Sequence, residues 1–103
     1  MTDDLPVIEG ARLSSDNLKT ALELLKEIRR ARFMANYAVA RINAQDAENL
    51  LVYLKNGVEI RIGGGNFKER LETLAKILKD PRLIIDMVKY IDVRFKDAVI
   101  GPK

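Results

Sequence analysis

The sequence predicts an α+β fold in which a mostly antiparallel sheet of about five to six strands packs with two amphipathic helices. Two stretches carry apolar residues at helical spacing, and Asn56-Gly57 separates two strand-like runs. Residues 89–103 alternate apolar and polar side chains before a turn and a second short apolar run. We therefore expect the C-terminal strand to form an open edge of the sheet.

The first helix is expected to follow a leading segment, Leu5 to Gly10. That segment suits a short edge strand, because Pro6 has no amide hydrogen for a central ladder. Ser14 or Ser15 can cap the helix, which should end near residues 32–36. Its predicted apolar face consists of Leu18, Ala21, Leu22, Leu25 and Ile28.

The second helix is expected to begin after Gly63-Gly-Gly65, with Asn66 as N-cap and Glu69 completing a capping box. Asp80-Pro81 should end it, since the residue before proline avoids the helical region. Its predicted apolar face consists of Phe67, Leu71, Leu74, Ala75 and Leu78. Residues 82–88 leave two alternatives, a short helical turn or a direct passage into the last strands.

A hairpin is predicted between these helices, after an earlier strand around Val39. Asn56-Gly57 favours a two-residue type I′ turn, because both residue types tolerate positive φ. That turn would place Lys55 opposite Val58. Leu51, Tyr53, Ile60 and Ile62 would then share one face, and Leu50, Val52, Leu54, Glu59 and Arg61 the other. The second face would be half apolar, so a helix, a second domain or a partner should cover part of it.

At the C-terminal end, Ile91, Val93 and Phe95 alternate with polar residues and are expected to face the core. Asp92 and Arg94 share the opposite face, where they can form an ion pair. Lys96-Asp97 should turn the chain so that residues 98–100 pair back on it. The outer backbone groups would remain free, with Val99 as an outward donor.

Composition limits the functional classes. The 103 residues are 48% hydrophobic, enough for one domain, and include no Cys or His, which removes disulfide, thiol and imidazole chemistry. A formal charge of +3 does not indicate a nucleic-acid partner, and Arg29, Arg30 and Arg32 fall where a helix end favours cations. No apolar run reaches the roughly 20 residues that span a bilayer. We expect a soluble chain without enzymatic activity, metal or cofactor.

Three segments resemble the extracytoplasmic beta domain of the FtsQ/DivIB bacterial cell division family. Tyr90-Ile-Asp-Val-Arg-Phe95 is similar to that family's Ile-Asp-Leu-Arg-Tyr/Phe signature. Leu5-Pro-Val-Ile-Glu-Gly10 resembles the segment that follows the family's POTRA domain. Residues 62–71 resemble its pattern of a strand, glycine, a polar stretch, an aromatic residue and a helix.

The resemblance implies that residues 1–103 form one beta domain, without the family's transmembrane helix and POTRA domain. It implies a periplasmic scaffold of the divisome, on the extracytoplasmic side of the inner membrane. The implied partners are the FtsB/FtsL or DivIC/FtsL coiled-coil pair, whose strand adds to the last strand of the domain. By position, the partner-binding residues would be Phe95, Lys96, Asp97, Ala98, Val99, Ile100 and Gly101.

Two other functions remain open from the sequence. Gly63 to Gly65 before a helix N-terminus could form a small anion- or nucleotide-binding module, although the Lys-Ser/Thr of a P-loop is absent. The open edge could also pair two copies of the chain, so the oligomeric state is not predicted.

Overall fold

The structure, a computed structural model, describes residues 6–10 and 14–103. The predicted leading segment is therefore described from Pro6, and Leu5 lies outside the described residues. The strands are β1 (Val7–Glu9), β2 (Val39–Asn43), β3 (Leu50–Leu54), β4 (Glu59–Gly63), β5 (Val88–Asp92) and β6 (Val99–Pro102). The α-helices are α1 (Ser15–Arg30) and α2 (Phe67–Leu78), and 3₁₀ turns occupy Arg32–Asn36 and Ile85–Met87.

The six strands form one open sheet in chain order, from β1 to β6. The β2–β3, β3–β4 and β5–β6 pairs are antiparallel, whereas β1–β2 and β4–β5 are parallel. This mixed but mostly antiparallel sheet with two helices confirms the predicted α+β class. Each parallel pair is connected through a helix, because parallel neighbours need a crossover.

Both helices cover the same face of the sheet. The two crossovers, β1–α1–β2 and β4–α2–β5, step in the same direction across the sheet, and the right-handed rule then puts their helices on one side. The helices also contact each other. A single buried core lies between this helical layer and the sheet.

Helix α1 begins as predicted and buries part of the predicted apolar face. The Ser14 hydroxyl accepts a hydrogen bond from the Asn17 amide, which confirms the cap. The buried residues are Ala21, Leu24 and Ile28. The predicted core positions Leu18 and Leu22 are 41% and 49% exposed. The helical spacing was right, and the chosen face was rotated by part of a turn.

The β3–β4 hairpin overturns the predicted two-residue turn. The Gly57 amide donates to the Leu54 carbonyl, and the Leu54 amide donates to the Val58 carbonyl, so the loop contains three residues. Gly57 has φ +92°, while Asn56 has no positive φ. This is a type I turn followed by a left-handed glycine. Val52 consequently pairs with Ile60.

The extra loop residue exchanges the predicted faces. Positions 50, 52, 54, 58, 60 and 62 are all buried apolar residues beneath the helices. Leu51 and Tyr53 instead share the outer face with Arg61 and Glu59, their partners in the register. The second face of this hairpin is therefore half apolar as expected, but it carries Leu51 and Tyr53 instead of Leu50, Val52 and Leu54.

Helix α2 lacks the predicted capping box. Asn66 adopts a left-handed conformation (φ 54°, ψ 39°), and its side chain makes no capping hydrogen bond. Phe67, Leu71 and Leu74 are buried, in agreement with the predicted face. The helix ends at Leu78, before Asp80-Pro81. Residues 82–88 combine both alternatives, because a 3₁₀ turn at Ile85–Met87 leads into β5.

Among residues 6–10 and 14–103, no helix is both long and apolar enough to cross a bilayer.

Candidate partner-binding edge

Strand β6 is the last strand of the sheet and pairs only with β5 among the described residues. Tyr90, Ile91 and Asp92 lie opposite Gly101, Ile100 and Val99, respectively. The predicted open edge at the C-terminal strand is thus present. Its free side runs along Val99–Pro102.

Two hydrogen bonds fix which backbone groups of β6 face outward. Val93 donates to the Arg61 carbonyl of β4, and Lys103 donates to the Met87 carbonyl on the β5 side. Backbone groups alternate in direction along a strand, so Ile91 faces β4, and Val99 and Gly101 face β5. Both bonds lead to the same result: the N–H and C=O of Ile100 point away from the sheet.

This geometry corrects the expected donor. Val99 was expected to offer an outward N–H, whereas its backbone is directed at β5. Pro102 also faces outward but has no N–H, so it contributes only a carbonyl. Within β6, Ile100 is therefore the residue that presents both a donor and an acceptor to the free side.

The structure separates the seven predicted binding residues into a loop and a strand. Phe95, Lys96 and Asp97 are exposed residues of the β5–β6 loop, and Ala98 packs partly against the core. Val99, Ile100 and Gly101 belong to β6. Phe95 is 61% exposed, so its predicted place in the core is wrong. Strand β5 ends at Asp92, and the alternation does not continue as a strand to Phe95.

Asp92 and Arg94 form the predicted ion pair. The Arg94 Nη2 lies 2.7 Å from Asp92 Oδ2, and Arg94 Nε donates to Asp92 Oδ1 at 3.0 Å. The Arg94 backbone amide donates to the same Oδ1. These bonds, with the Arg94 side chain as the largest contribution, hold the pKa of the buried Asp92 carboxyl below its ordinary value. A further bond from Arg94 Nη1 to Asn49 joins the β5–β6 loop to the β2–β3 connection.

The outer face of the sheet carries alternating cations and aromatic rings. The Arg41 guanidinium lies 4.3 Å from the centre of the Tyr53 ring, and that of Arg61 lies 3.9 Å from the centre of the Tyr90 ring. Glu59 joins the two pairs, because it accepts from the Tyr53 hydroxyl and from Arg61 Nε. These contacts satisfy the charged groups of the outer face by cation–π and ionic interactions.

The Tyr90 ring extends this row onto the edge strand. It covers Gly101, where an added Cβ would collide with the ring. Gly101 is consequently buried although it lies in the last strand. This packing fixes the register of β6 on β5 and leaves the opposite side of β6 free.

An apolar groove beside β6 was not found from the sequence. It has a volume of about 570 Å³ and lies between the end of α2, the 3₁₀ turn before β5, and β6. Its lining includes Ile77, Leu83, Ile84, Met87, Ile100 and Pro102. The available signal was the dense apolar content of residues 82–88 after Asp80-Pro81, a segment too short to bury all of those side chains.

The glycines before α2 have a structural role in this fold. An added Cβ at Gly64 would lie 2.5 Å from the Ala47 carbonyl oxygen and close to the Glu48 backbone. Gly63 has φ +88°, a left-handed conformation that favours glycine. Arg70 and Arg94 lie at the same small cavity, but Arg94 is already bonded to Asp92.

Comparison of the sequence with known proteins gives two matches. The sequence model of the C-terminal region of cell division protein FtsQ/DivIB matches residues 1–94. One relative, the cell division protein FtsQ of Geotalea daltonii (strain DSM 22248 / JCM 15807 / FRC-32), is 29% identical over 111 residues, which cover 97% of this chain and 40% of the relative. The chain thus spans less than half of that relative's length. Because the family match covers most of the sequence, this chain belongs to the FtsQ/DivIB family of cell division proteins, as a representative of its C-terminal region.

Proposed function

We propose that this chain is a non-enzymatic scaffold domain of the divisome that binds another division protein by strand addition at β6. The observation that carries the proposal is the outward direction of the Ile100 N–H and C=O on an uncovered edge. An incoming strand gains two backbone hydrogen bonds at Ile100 and further acceptors along the edge. The family assigns the chain to cell division, which requires protein partners.

We further propose that residues 1–103 act as one domain on the extracytoplasmic side of the inner membrane, where this family's C-terminal region lies. The proposed partners are proteins of the FtsB/DivIC and FtsL type. The residues proposed to contact them are Val99, Ile100 and Gly101 in β6 and the loop residues Phe95, Lys96, Asp97 and Ala98 that precede it. Attachment to the membrane would require segments outside this chain.

The test compares Ile100→Pro with Ile100→Ala. Both variants lose the branched isoleucine side chain, but only proline removes the outward N–H. Proline is tolerated on an edge where its missing donor faces solvent, so the fold should survive. We expect the proline variant to bind a purified FtsB-type protein at least about tenfold more weakly than the alanine variant, since one buried carbonyl of the partner is left unpaired.

Equal affinities of the two variants, with circular dichroism unchanged, would remove strand addition at Ile100 from the mechanism. Sedimentation of the free wild-type chain tests the alternative of pairing between copies. A mass that rises with concentration in the wild type but not in Ile100→Pro would assign the edge to self-association and contradict the proposal.

A further inference from the structure

The groove beside β6 is lined by large apolar side chains that are largely exposed to solvent. Ile84 is 66% exposed, Met87 60% and Ile100 44%. All three line the same depression, together with Ile77 at the end of α2. These large apolar side chains therefore lie next to β6, whose outer backbone groups have no partner strand among the described residues. Such a contiguous patch is typical of an interaction surface.

The geometry of strand addition connects the groove with the edge. Ile100 lies opposite Ile91, a fully buried core residue, so its side chain projects to the helix-covered face of the sheet. A residue that pairs directly with Ile100 on an added strand projects to that same face. Its side chain therefore points into the groove, while the residues before and after it project to the outer face beside Val99 and Gly101.

The charged groups at the groove are already paired with each other. Arg82 donates to Asp80 through Nη2 at 2.7 Å and Nε at 3.0 Å, and the Arg82 backbone amide binds the same carboxylate. These bonds lower the pKa of Asp80 to about 2, with the Arg82 side chain as the largest cause. Apart from this ion pair, the described lining residues offer only apolar side chains and backbone groups. A charged side chain placed in the groove would therefore lose its hydration without compensation.

We propose that the groove is the specificity pocket of the edge: it receives one large apolar side chain, Leu, Ile, Met or Phe, from the partner residue that pairs with Ile100. This inference rests on the proposed function, because it requires an added strand. It adds a rule for the partner sequence. The partner strand must carry an apolar residue at the position opposite Ile100, and the adjacent positions face the outer side, where polar residues are accepted.

Charge substitutions in the groove test the pocket. We expect Met87→Asp and Ile84→Asp each to weaken binding of the purified FtsB-type protein at least tenfold. Val7→Asp is the matched control, because Val7 is 61% exposed on the opposite edge strand β1. All three positions are exposed, so thermal unfolding should change little, and that measurement verifies folding for each variant.

Cross-linking identifies the residue in the pocket independently of affinity. The chain has no cysteine, so Met87→Cys provides a single thiol for a benzophenone maleimide label. Irradiation of the complex should attach the label to one apolar residue in the partner strand or to its immediate neighbours. The same label at Val7→Cys should give no cross-link at that strand.

The outcomes separate the pocket from strand addition itself. If Ile100→Pro abolishes binding while Met87→Asp and Ile84→Asp bind like Val7→Asp, strand addition stands and the pocket is overturned. If Ile100→Pro binds like Ile100→Ala, the underlying function fails first. A cross-link from Met87→Cys to a charged partner residue far from the added strand would also overturn the pocket.

Discussion

Asp92 is a buried carboxylate that remains charged because Arg94 surrounds it with donors. Its pKa lies below the ordinary value of 3.8, chiefly through the Arg94 side chain. A folded-state pKa that is lower than the unfolded one stabilises the fold at every pH above the unfolded value. That contribution is lost as the pH falls from about 4 through the lower folded pKa.

We expect Asp92→Asn to reduce the free energy of unfolding by about 2 kcal/mol at pH 7, because a charge-assisted pair is lost. The difference between wild type and variant should shrink as the pH falls below about 4, because the unfolded wild-type carboxyl then takes up a proton that the folded one does not. Urea unfolding at pH 7 and pH 3 measures both values. Asp97→Asn, at an exposed position of the same loop, is the control and should change stability by less than about 0.5 kcal/mol. A difference that persists undiminished at pH 3 would contradict this account.

Single residues also show where sequence reasoning stops. The Asp92–Arg94 pair was predictable because the two side chains share a face at a spacing of two residues. The exposure of Phe95 was not, since it depends on β5 ending at Asp92 and on Arg94 turning back to Asn49. Asn66 had the composition of an N-cap, but the chain approaches α2 in a left-handed conformation that local preference does not reveal.

At the scale of elements, one loop residue decided which side of the hairpin enters the core. A two-residue loop would have put Glu59 opposite Leu54 and Arg61 opposite Val52, both of which are buried. A three-residue loop aligns six apolar positions on one face, and the free energy of burying them outweighs the preference of Asn-Gly for a type I′ turn. Matching the apolar positions across both strands before choosing the turn would have predicted the observed register.

The hairpin loop makes its own prediction. Gly57 has φ +92°, and an added Cβ would meet no atom within 4 Å, so the cost of Gly57→Ala is that of the backbone conformation alone. We expect the variant to be about 1 kcal/mol less stable than wild type. Gly65→Ala is the matched control, because Gly65 also has open space around its Cβ position but no positive φ. Equal stability of the two variants in thermal unfolding would show that the loop readily adopts another turn.

For the whole molecule, the sequence was sufficient for the class, the helices and the open C-terminal edge. Those features follow from periodicity and chain order. The groove beside β6 could not be predicted from the sequence, because it exists only where the end of α2, the 3₁₀ turn and β6 meet. The family match also ends at Arg94, before β6, so the direction of Ile100 had to come from hydrogen bonds across β4, β5 and β6.

The arrangement of the sheet predicts a pattern of amide hydrogen exchange along its last strand. In the free chain, the Ile100 amide faces solvent and should exchange rapidly, whereas the Val99 and Gly101 amides face β5 and should be protected. The central strands β3 and β4, paired on both sides, should exchange most slowly. Adding a purified FtsB-type protein should protect Ile100 selectively, because Val99 and Gly101 are bonded before it binds. Protection of Ile100 in the free chain, or protection gained only at Val99 and Gly101, would mean that the backbone groups of β6 point the opposite way. The proposed docking geometry would then be wrong.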